Sequence, residues 1–286
     1  MLKNLNDVLR DAKDKCYAVP AFDCVEDIMI RCILDTSEEE KSPVILMALE
    51  HNLKGRSMDY ISGFIKFAAE LYRIPVVLHL DHATNLDLIE SAIDHGFTSV
   101  MYDGSSLPFD DNVKITRDVV EMAHRKGVSV EAELGHVGGF TIDGKSEESK
   151  LTDPDEVVKF VSETNVDALA VSIGTTHGVY ISEPNLNIKR LSEIRERCSV
   201  PLVLHGGSGT PVEQVQNAVK HGITKVNLYA DLRIAMNNGL KEAASKIKRI
   251  DPYPDEMFAP MKKLLSNVIR DKIRMLNSNN RIEYIK

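Results

Sequence analysis

Pro75-Val-Val-Leu-His-Leu-Asp-His82 is a short apolar run that ends in an acid and an imidazole side by side. Few residues, several of them β-branched, opened by a proline, read as a strand buried on both faces, as in a parallel sheet. Charge at the end of a buried strand is costly unless it is paired or binds a cation. Asp81-His82 is therefore either a structural ion pair or the edge of a metal site. The rest of the chain bears on which.

Similar runs recur on both sides of this one. Apolar stretches at 17–22, 43–48, 98–102, 128–134, 167–173, 200–204 and 223–228 alternate with helical patterns near 25–41, 56–71, 85–95, 111–126, 155–164, 187–197, 211–221 and 230–246. Thr84 or Asn85 is the expected N-cap of the third helix. A further helix is expected over about 255–276. Eight strand–helix units in 286 residues predict an α/β fold, a (β/α)8 TIM barrel with an extra C-terminal helix. A doubly wound open sheet is the competing arrangement, but the turn after the first run has no Gly-x-Gly-x-x-Gly. No linker or low-complexity tract divides the chain, so residues 1–286 read as a single barrel domain.

Composition narrows the partners. The chain is 43% apolar and 27% charged with a formal net charge of -8, which disfavours a nucleic-acid partner. No stretch approaches a membrane span, and the opening Met1-Leu-Lys-Asn-Leu lacks the apolar core of a secretory leader. The four cysteines (Cys16, Cys24, Cys32 and Cys198) form no CxxC pair, so they read as packing residues of a reduced, cytoplasmic protein.

In such a barrel the chemistry gathers at the C-terminal ends of the strands. Asp23, Asp81, His82, Asp103, the run Gly174-Thr-Thr-His-Gly178, the run His205-Gly-Gly-Ser-Gly209 and Asn227 all stand there, with Glu131 and Glu133 inside the fifth strand. His82, His177 and His205 close three different units. Three imidazoles with an open fourth position are the donor set of a catalytic zinc. The remaining histidines fit plainer roles. His95, His124 and His221 lie near helix C-termini, where a cationic ring suits the dipole, His51 and His136 fall in loops, and His79 shares an inward face with Asp81.

For Asp81 and His82 to reach one cavity, the strand is expected to end between them, with His82 in the turn. Asp81 then stands beside the metal without ligating it, as a general acid/base; the alternative is that it orients a histidine. Glu131 and Glu133 share one face and repel unless a cation lies between them or one is protonated. A second metal position with Asp103 as co-ligand, or a lysine partner, is implied. Lys225 lies on the eighth strand but is poorly placed as a Schiff-base former. The glycine-rich turns offer backbone amides to an anion. Phosphate sites of these barrels commonly follow strands seven and eight, where Gly207, Ser208 and Asn227 fall.

Together His79-Leu-Asp-His82, Met101-Tyr-Asp-Gly-Ser105, Val130-Glu-Ala-Glu-Leu-Gly135, Gly174–Gly178 and His205–Gly209 resemble the class II, zinc-dependent ketose-bisphosphate aldolases. That family includes fructose- and tagatose-bisphosphate aldolases, and the resemblance spans essentially the whole chain. It implies that His82, His177 and His205 carry zinc and that Asp81 is the acid/base. It further implies that Asp103 and Glu133 serve a second or alternate metal site. Gly178, Gly206, Gly207, Ser208, Asn227, Leu228, Tyr229 and Ala230 match the pocket for dihydroxyacetone phosphate, near which a monovalent cation assists. A homodimer or homotetramer is implied as well.

The implied reaction is reversible cleavage of a phosphorylated ketose, by default fructose 1,6-bisphosphate, to dihydroxyacetone phosphate and an aldehyde such as glyceraldehyde 3-phosphate. Loop 135–150 would close over the site, with Asp143 a candidate for a second proton transfer. This chain departs from the pattern in four places. Asp23 stands for an asparagine, Met47-Ala-Leu49 for a Gln-x-Ser, Ala230 for a threonine, and the loop acids are displaced. A tagatose-bisphosphate or other ketose-phosphate aldolase, a weakened sugar-phosphate-binding barrel, and a zinc hydrolase are the competing readings.

Overall fold

The structure, a computed structural model, describes residues 1–140, 146–147, 149–178, 180 and 183–283. Eight parallel strands close a barrel: β1 (Val19–Asp23), β2 (Val44–Leu49), β3 (Val76–Ala83), β4 (Ser99–Tyr102), β5 (Ser129–Leu134), β6 (Ala168–Val171), β7 (Leu202–Leu204) and β8 (Ile223–Leu228). Closure is made by β1, which pairs with β8 through Val19↔Lys225 and Phe22↔Leu228 and with β2 through Ala21↔Ile45. This is the (β/α)8 TIM barrel that the alternation of runs predicts.

The chain opens on a helix that the reading of the sequence did not include, α1 (Leu5–Lys15). Asn4 and Asp7 form a reciprocal capping box at its start. Its apolar residues fall at helical spacing, and Leu5, Val8, Leu9 and Ala12 are buried. They plug the N-terminal end of the barrel, against Val19, Ala21, Ile45, Val77, Ala168, Ala170 and Val203. Leu9 is fully buried, so Leu9→Ala is expected to cost about 2–5 kcal/mol. Denaturant unfolding would show a lower midpoint with an unchanged slope; a loss below about 1 kcal/mol would mean that α1 is not part of the core.

The connecting helices are α2 (Asp27–Glu39), α3 (Ser57–Leu71), α4 (Leu86–Asp94), α5 (Phe109–His124), α6 (Pro154–Thr164), α7 (Ile188–Arg197), α8 (Val212–Lys220) and α9 (Ala230–Lys246). The extra C-terminal helix, α10 (Pro254–Met275), packs on α9 and α2. Arg270 and Arg274 pair there with Glu39 and Glu40 at the C-terminal end of α2. Asn85 supplies the cap of α4, its side chain accepting from the Leu88 amide.

Strand alternation sorts the interior. Phe22, Leu46, Leu78 and Val100 face outward into the layer beneath the helices. The inward positions are apolar near α1 and polar toward the other end, where Asp23, His79, Asp81, Glu131, Glu133, His205, Lys225 and Asn227 are all buried. The barrel is thus a dry plug at one end and a buried polar chamber at the other. No helix among the described residues is long and apolar enough to cross a membrane.

One expectation about β3 needs correction. The strand does not end between Asp81 and His82 but runs on to Ala83. Its pairing with β4 slips between Leu80 and Ala83, and His82 takes a left-handed backbone with φ 47°. A bulge re-aims a side chain without ending a strand, so both neighbours reach the chamber by that route. The 3-10 turn Glu50–Leu53 braces this region, because Glu50 Oε2 accepts from the amides of Thr84 and Asn85 at 2.7 and 3.1 Å. A second unforeseen feature is a pair of two-residue strands, Gly139–Phe140 and Ser146–Glu147, in the loop after β5.

Candidate active site

Three histidines, from the bulge of β3, the turn after β6 and the end of β7, meet at the mouth of the polar chamber. Ring centroids lie 4.8 Å apart for His82 and His177, 4.5 Å for His82 and His205, and 5.8 Å for His177 and His205. Each ring is held by a different device. The strained turn at His82 is fixed by the Asp103 amide, which donates to Ala83 O at 2.8 Å, and by His82 Nδ1 donating to Asp103 Oδ2 at 2.7 Å. His177 is anchored through its backbone to the loop after β5, its amide donating to Gly138 O at 2.8 Å. A Cβ on Gly139 would come within 2.7 Å of the His177 Cβ, so only glycine permits this approach. His205 Nε2 donates to Glu131 Oε1 at 2.9 Å.

These contacts leave His82 Nε2, His177 Nε2 and His205 Nδ1 buried and without a hydrogen-bond partner among the described residues. The candidate ligand atoms of the three rings lie within 4.8 Å of one another. His205 Nδ1 also stands 3.0 Å from Glu133 Oε2, but off the direction a hydrogen bond requires. Converging imidazole nitrogens stripped of partners are expensive in a protein interior unless a cation takes them. The residues therefore fit a divalent ion with three nitrogen ligands.

Electrostatics agree with that fit. Burial opposes charge on His82, yet Asp81 and Asp103 outweigh it and lift the ring to about 10. For His205, burial and His82 oppose the charge, while Glu131 and Glu133 raise it above its ordinary value. For His177, burial and its two histidine neighbours outweigh Asp81 and Asp103 and lower it to about 3. Asp103, despite burial, is held well below the usual carboxylate range by its hydrogen bonds from His82 and Ser105.

Asp81 and Asp23 are driven in opposite directions. Burial works against ionised Asp81, but His82, Lys225, His205 and His79 more than offset it and lower its carboxyl. Asp23, at the end of β1, is pushed well above its ordinary range by burial and by Asp81 itself. One of its oxygens, Oδ1, has no hydrogen-bond partner among the described residues. In the sequence Asp23 stands out as the end of the first run and as a departure from a pattern; its nearness to Asp81, two strands away, comes from the closed barrel.

The lysine partner implied for the paired glutamates is Lys225. Its Nζ lies 2.8 Å from Glu131 Oε2 and donates to Asn227 Oδ1 at 2.7 Å. It is engaged rather than free to form an imine. Lys225 and His205 hold the Glu131 carboxyl well below its usual range in spite of burial. Glu133 instead accepts from the Val137 amide at 2.9 Å. His79, the expected inward neighbour, bonds Ser99 Oγ through Nδ1 at 2.7 Å and stands 3.8 Å from Asp81. Met47 and Leu49 pair with His79 and Asp81 in the register of β2 and β3, so both apolar departures border the acid.

The residues expected to hold a phosphate lie in the turns after β6 and β7, at the end of β8 and at the start of α9. Gly178 has φ 93° with open space at its Cβ position, and a Cβ on Gly206 would strike Thr176 O at 2.4 Å. Ser208 Oγ accepts from the Tyr229 amide at 3.0 Å and so sits at the start of α9, whose first residue is Ala230. The Gly207 amide is already committed to Asn227 O at 3.1 Å. The Leu228 side chain lies in the outer hydrophobic layer, so any part it plays is through its backbone. Tyr229 is half-buried, with the Arg233 guanidinium 5.1 Å from its ring centre. Tyr180, which sequence reasoning overlooked, clamps the two glycine-rich turns: its hydroxyl donates to Gly206 O at 2.8 Å and accepts from the Thr176 amide at 3.2 Å. Asp143 and Glu148 lie outside the described residues.

Residues 3–281 match the family model described as fructose-bisphosphate aldolase class-II. The fructose-bisphosphate aldolase of Helicobacter pylori strain J99 is 38% identical over 308 residues, covering 99% of this chain and 100% of that one. That of Staphylococcus epidermidis strain RP62A is 38% identical over 289 residues, covering 98% and 99%. Among solved structures, the YdjI aldolase from Escherichia coli K12 superposes with a TM-score of 0.88 at 33% identity, covering 99% of this chain and 100% of that chain.

Proposed function

The chain belongs to the class II fructose-bisphosphate aldolase family and is an aldolase, and from that premise we propose the role of each residue in cleaving a phosphorylated ketose. His82, His177 and His205 hold a zinc ion, and Asp81 is the acid/base. The observation that carries this reading is the set of three converging ring nitrogens without partners, beside a carboxyl whose surroundings favour its anion.

Held by these three histidines, zinc would supply Lewis acidity toward the C2 carbonyl of the ketose. Asp81 takes the proton of the C4 hydroxyl and returns it in the synthetic direction. The amide of Asn227, donating to Asp81 Oδ1 at 3.1 Å, aims that carboxylate. Gly178, Gly206, Gly207, Ser208 and Asn227 through Ala230 receive the phosphate of the dihydroxyacetone half, where the start of α9 adds partial positive charge. A monovalent cation assists there. Asp103 and Glu133, which with His82 form a second convergent group, serve an alternate metal position.

Fructose 1,6-bisphosphate is the reference substrate, to give dihydroxyacetone phosphate and glyceraldehyde 3-phosphate, with the tagatose isomer as the alternative. The enzyme would act in cytoplasmic carbohydrate metabolism, as glycolysis requires, and as a homodimer or homotetramer. Asp23, Met47, Leu49 and Ala230 reshape the pocket and favour one other reading, a barrel that binds sugar phosphates and turns over poorly.

A panel of ketose phosphates, fructose and tagatose 1,6-bisphosphates among them, is expected to release dihydroxyacetone phosphate from at least one member. Release should stop with a chelator and survive borohydride, since no imine forms. Binding of a ketose phosphate by zinc-saturated protein with no triose phosphate released would overturn the catalytic reading in favour of the binding one.

A further inference from the structure

Lys225 is fully buried in the middle of β8, a costly place for an ammonium unless all its donors are used. It reaches across the barrel interior to β5, a strand that β8 does not neighbour. There it meets Glu131 Oε2 at 2.8 Å and Oε1 at 3.0 Å, and on its own strand Asn227 Oδ1 at 2.7 Å. We propose that Lys225 is a positioning residue: its ammonium fixes the amide of Asn227 against Asp81 and the carboxylate of Glu131 against His205.

The chemistry of the groups forces both arrangements. A lysine ammonium has donors only, so the Asn227 amide must turn its oxygen to Lys225 and its NH2 to Asp81 Oδ1, 3.1 Å away. The flipped amide would set an oxygen against the Asp81 carboxylate and an NH2 against the ammonium, unfavourable on both sides. Glu131 is pinned in the same way. Its Oε1 accepts from His205 Nε2 at 2.9 Å, so the ring donates from Nε2 and presents Nδ1 to the other two histidines. One buried cation thereby sets the hydrogen-bond polarity on both sides of the site.

This inference rests on the roles proposed above for Asp81 and His205, and the test separates the two. Zinc-loaded wild type, Lys225→Met, Asn227→Ala and the double variant are compared for kcat/KM in ketose cleavage. Zinc affinity is measured in parallel by chelator competition. Lys225→Met should lower kcat/KM about tenfold in the wild-type background and less than about twofold in Asn227→Ala, the non-additivity of residues acting through one another. It should also weaken zinc binding about 10–100-fold, as loss of an outer partner of a ligating histidine does. Equal losses in both backgrounds, or no loss in either readout, would overturn the proposal.

Should Lys225→Met fail to fold because Glu131 is left unpaired, Lys225→Met/Glu131→Gln removes both charges and keeps an acceptor for His205. It should retain zinc to within a few-fold and still lose about tenfold in kcat/KM; full kcat/KM in this variant would overturn the proposal. If wild type itself releases no triose phosphate, the aldolase roles fail, while the zinc measurement still decides whether Lys225 acts through Glu131 on His205.

Discussion

Asp81→Ala is expected to lower kcat by about 10²–10⁴-fold, the range that a positioned general acid/base contributes, while the protein keeps its zinc. The carboxylate is 1% exposed and lies next to His82 in sequence, yet it is aimed by Asn227 rather than spent on the ring cluster. Its surroundings, His82, Lys225, His205 and His79, outweigh burial and favour the anion, the form needed to accept a proton. Removing it leaves the three ring nitrogens where they are. Elemental analysis should therefore give wild-type zinc alongside the loss of turnover. An unchanged kcat would remove Asp81 from the chemistry, and lost zinc would recast it as a metal partner.

His205→Ala is expected to act in the complementary way, lowering metal content first and activity as a consequence. The ring supplies one of three converging nitrogens and is fully buried, so no water-exposed side chain can take its place. Its loss should weaken zinc binding by more than the 10–100-fold or so that removal of an outer hydrogen-bond partner costs. Dialysed protein should hold well under one zinc per chain. Stoichiometric zinc after dialysis would mean that His205 does not ligate. The variant also leaves Glu131 with Lys225 as its remaining close partner, and that ion pair should keep the barrel folded.

The barrel was legible because its signal is local and repeated. Each buried strand declares itself by an apolar run, each helix by its period, and eight alternations leave little choice of architecture. The rim position of His205 follows from the same pattern, since it directly follows an apolar run, whereas His82 stands within β3 and His177 in the turn past the end of β6. α1 is legible in principle, with Leu5, Val8, Leu9 and Ala12 on one face, but it stands ahead of the first apolar run and so outside the strand–helix alternation. The bulge at His82 was not legible. Nothing in Leu-Asp-His-Ala announces a slipped register or a positive φ at a histidine, and only the pairing partner, β4, imposes it.

The amino-acid sequence by itself determined which side chains reach the mouth of the barrel and in what order, because strand ends and their spacing are properties of adjacent residues. Tertiary structure decided how those side chains address one another. The bond between Glu131 and His205 joins residues 74 apart, that between Lys225 and Glu131 spans 94, and that between Asn227 and Asp81 spans 146. Which nitrogen a ring offers, which way an amide faces and in which direction each of two acids is driven are set by partners across a buried chamber. Those partners become neighbours when the eighth strand closes on the first.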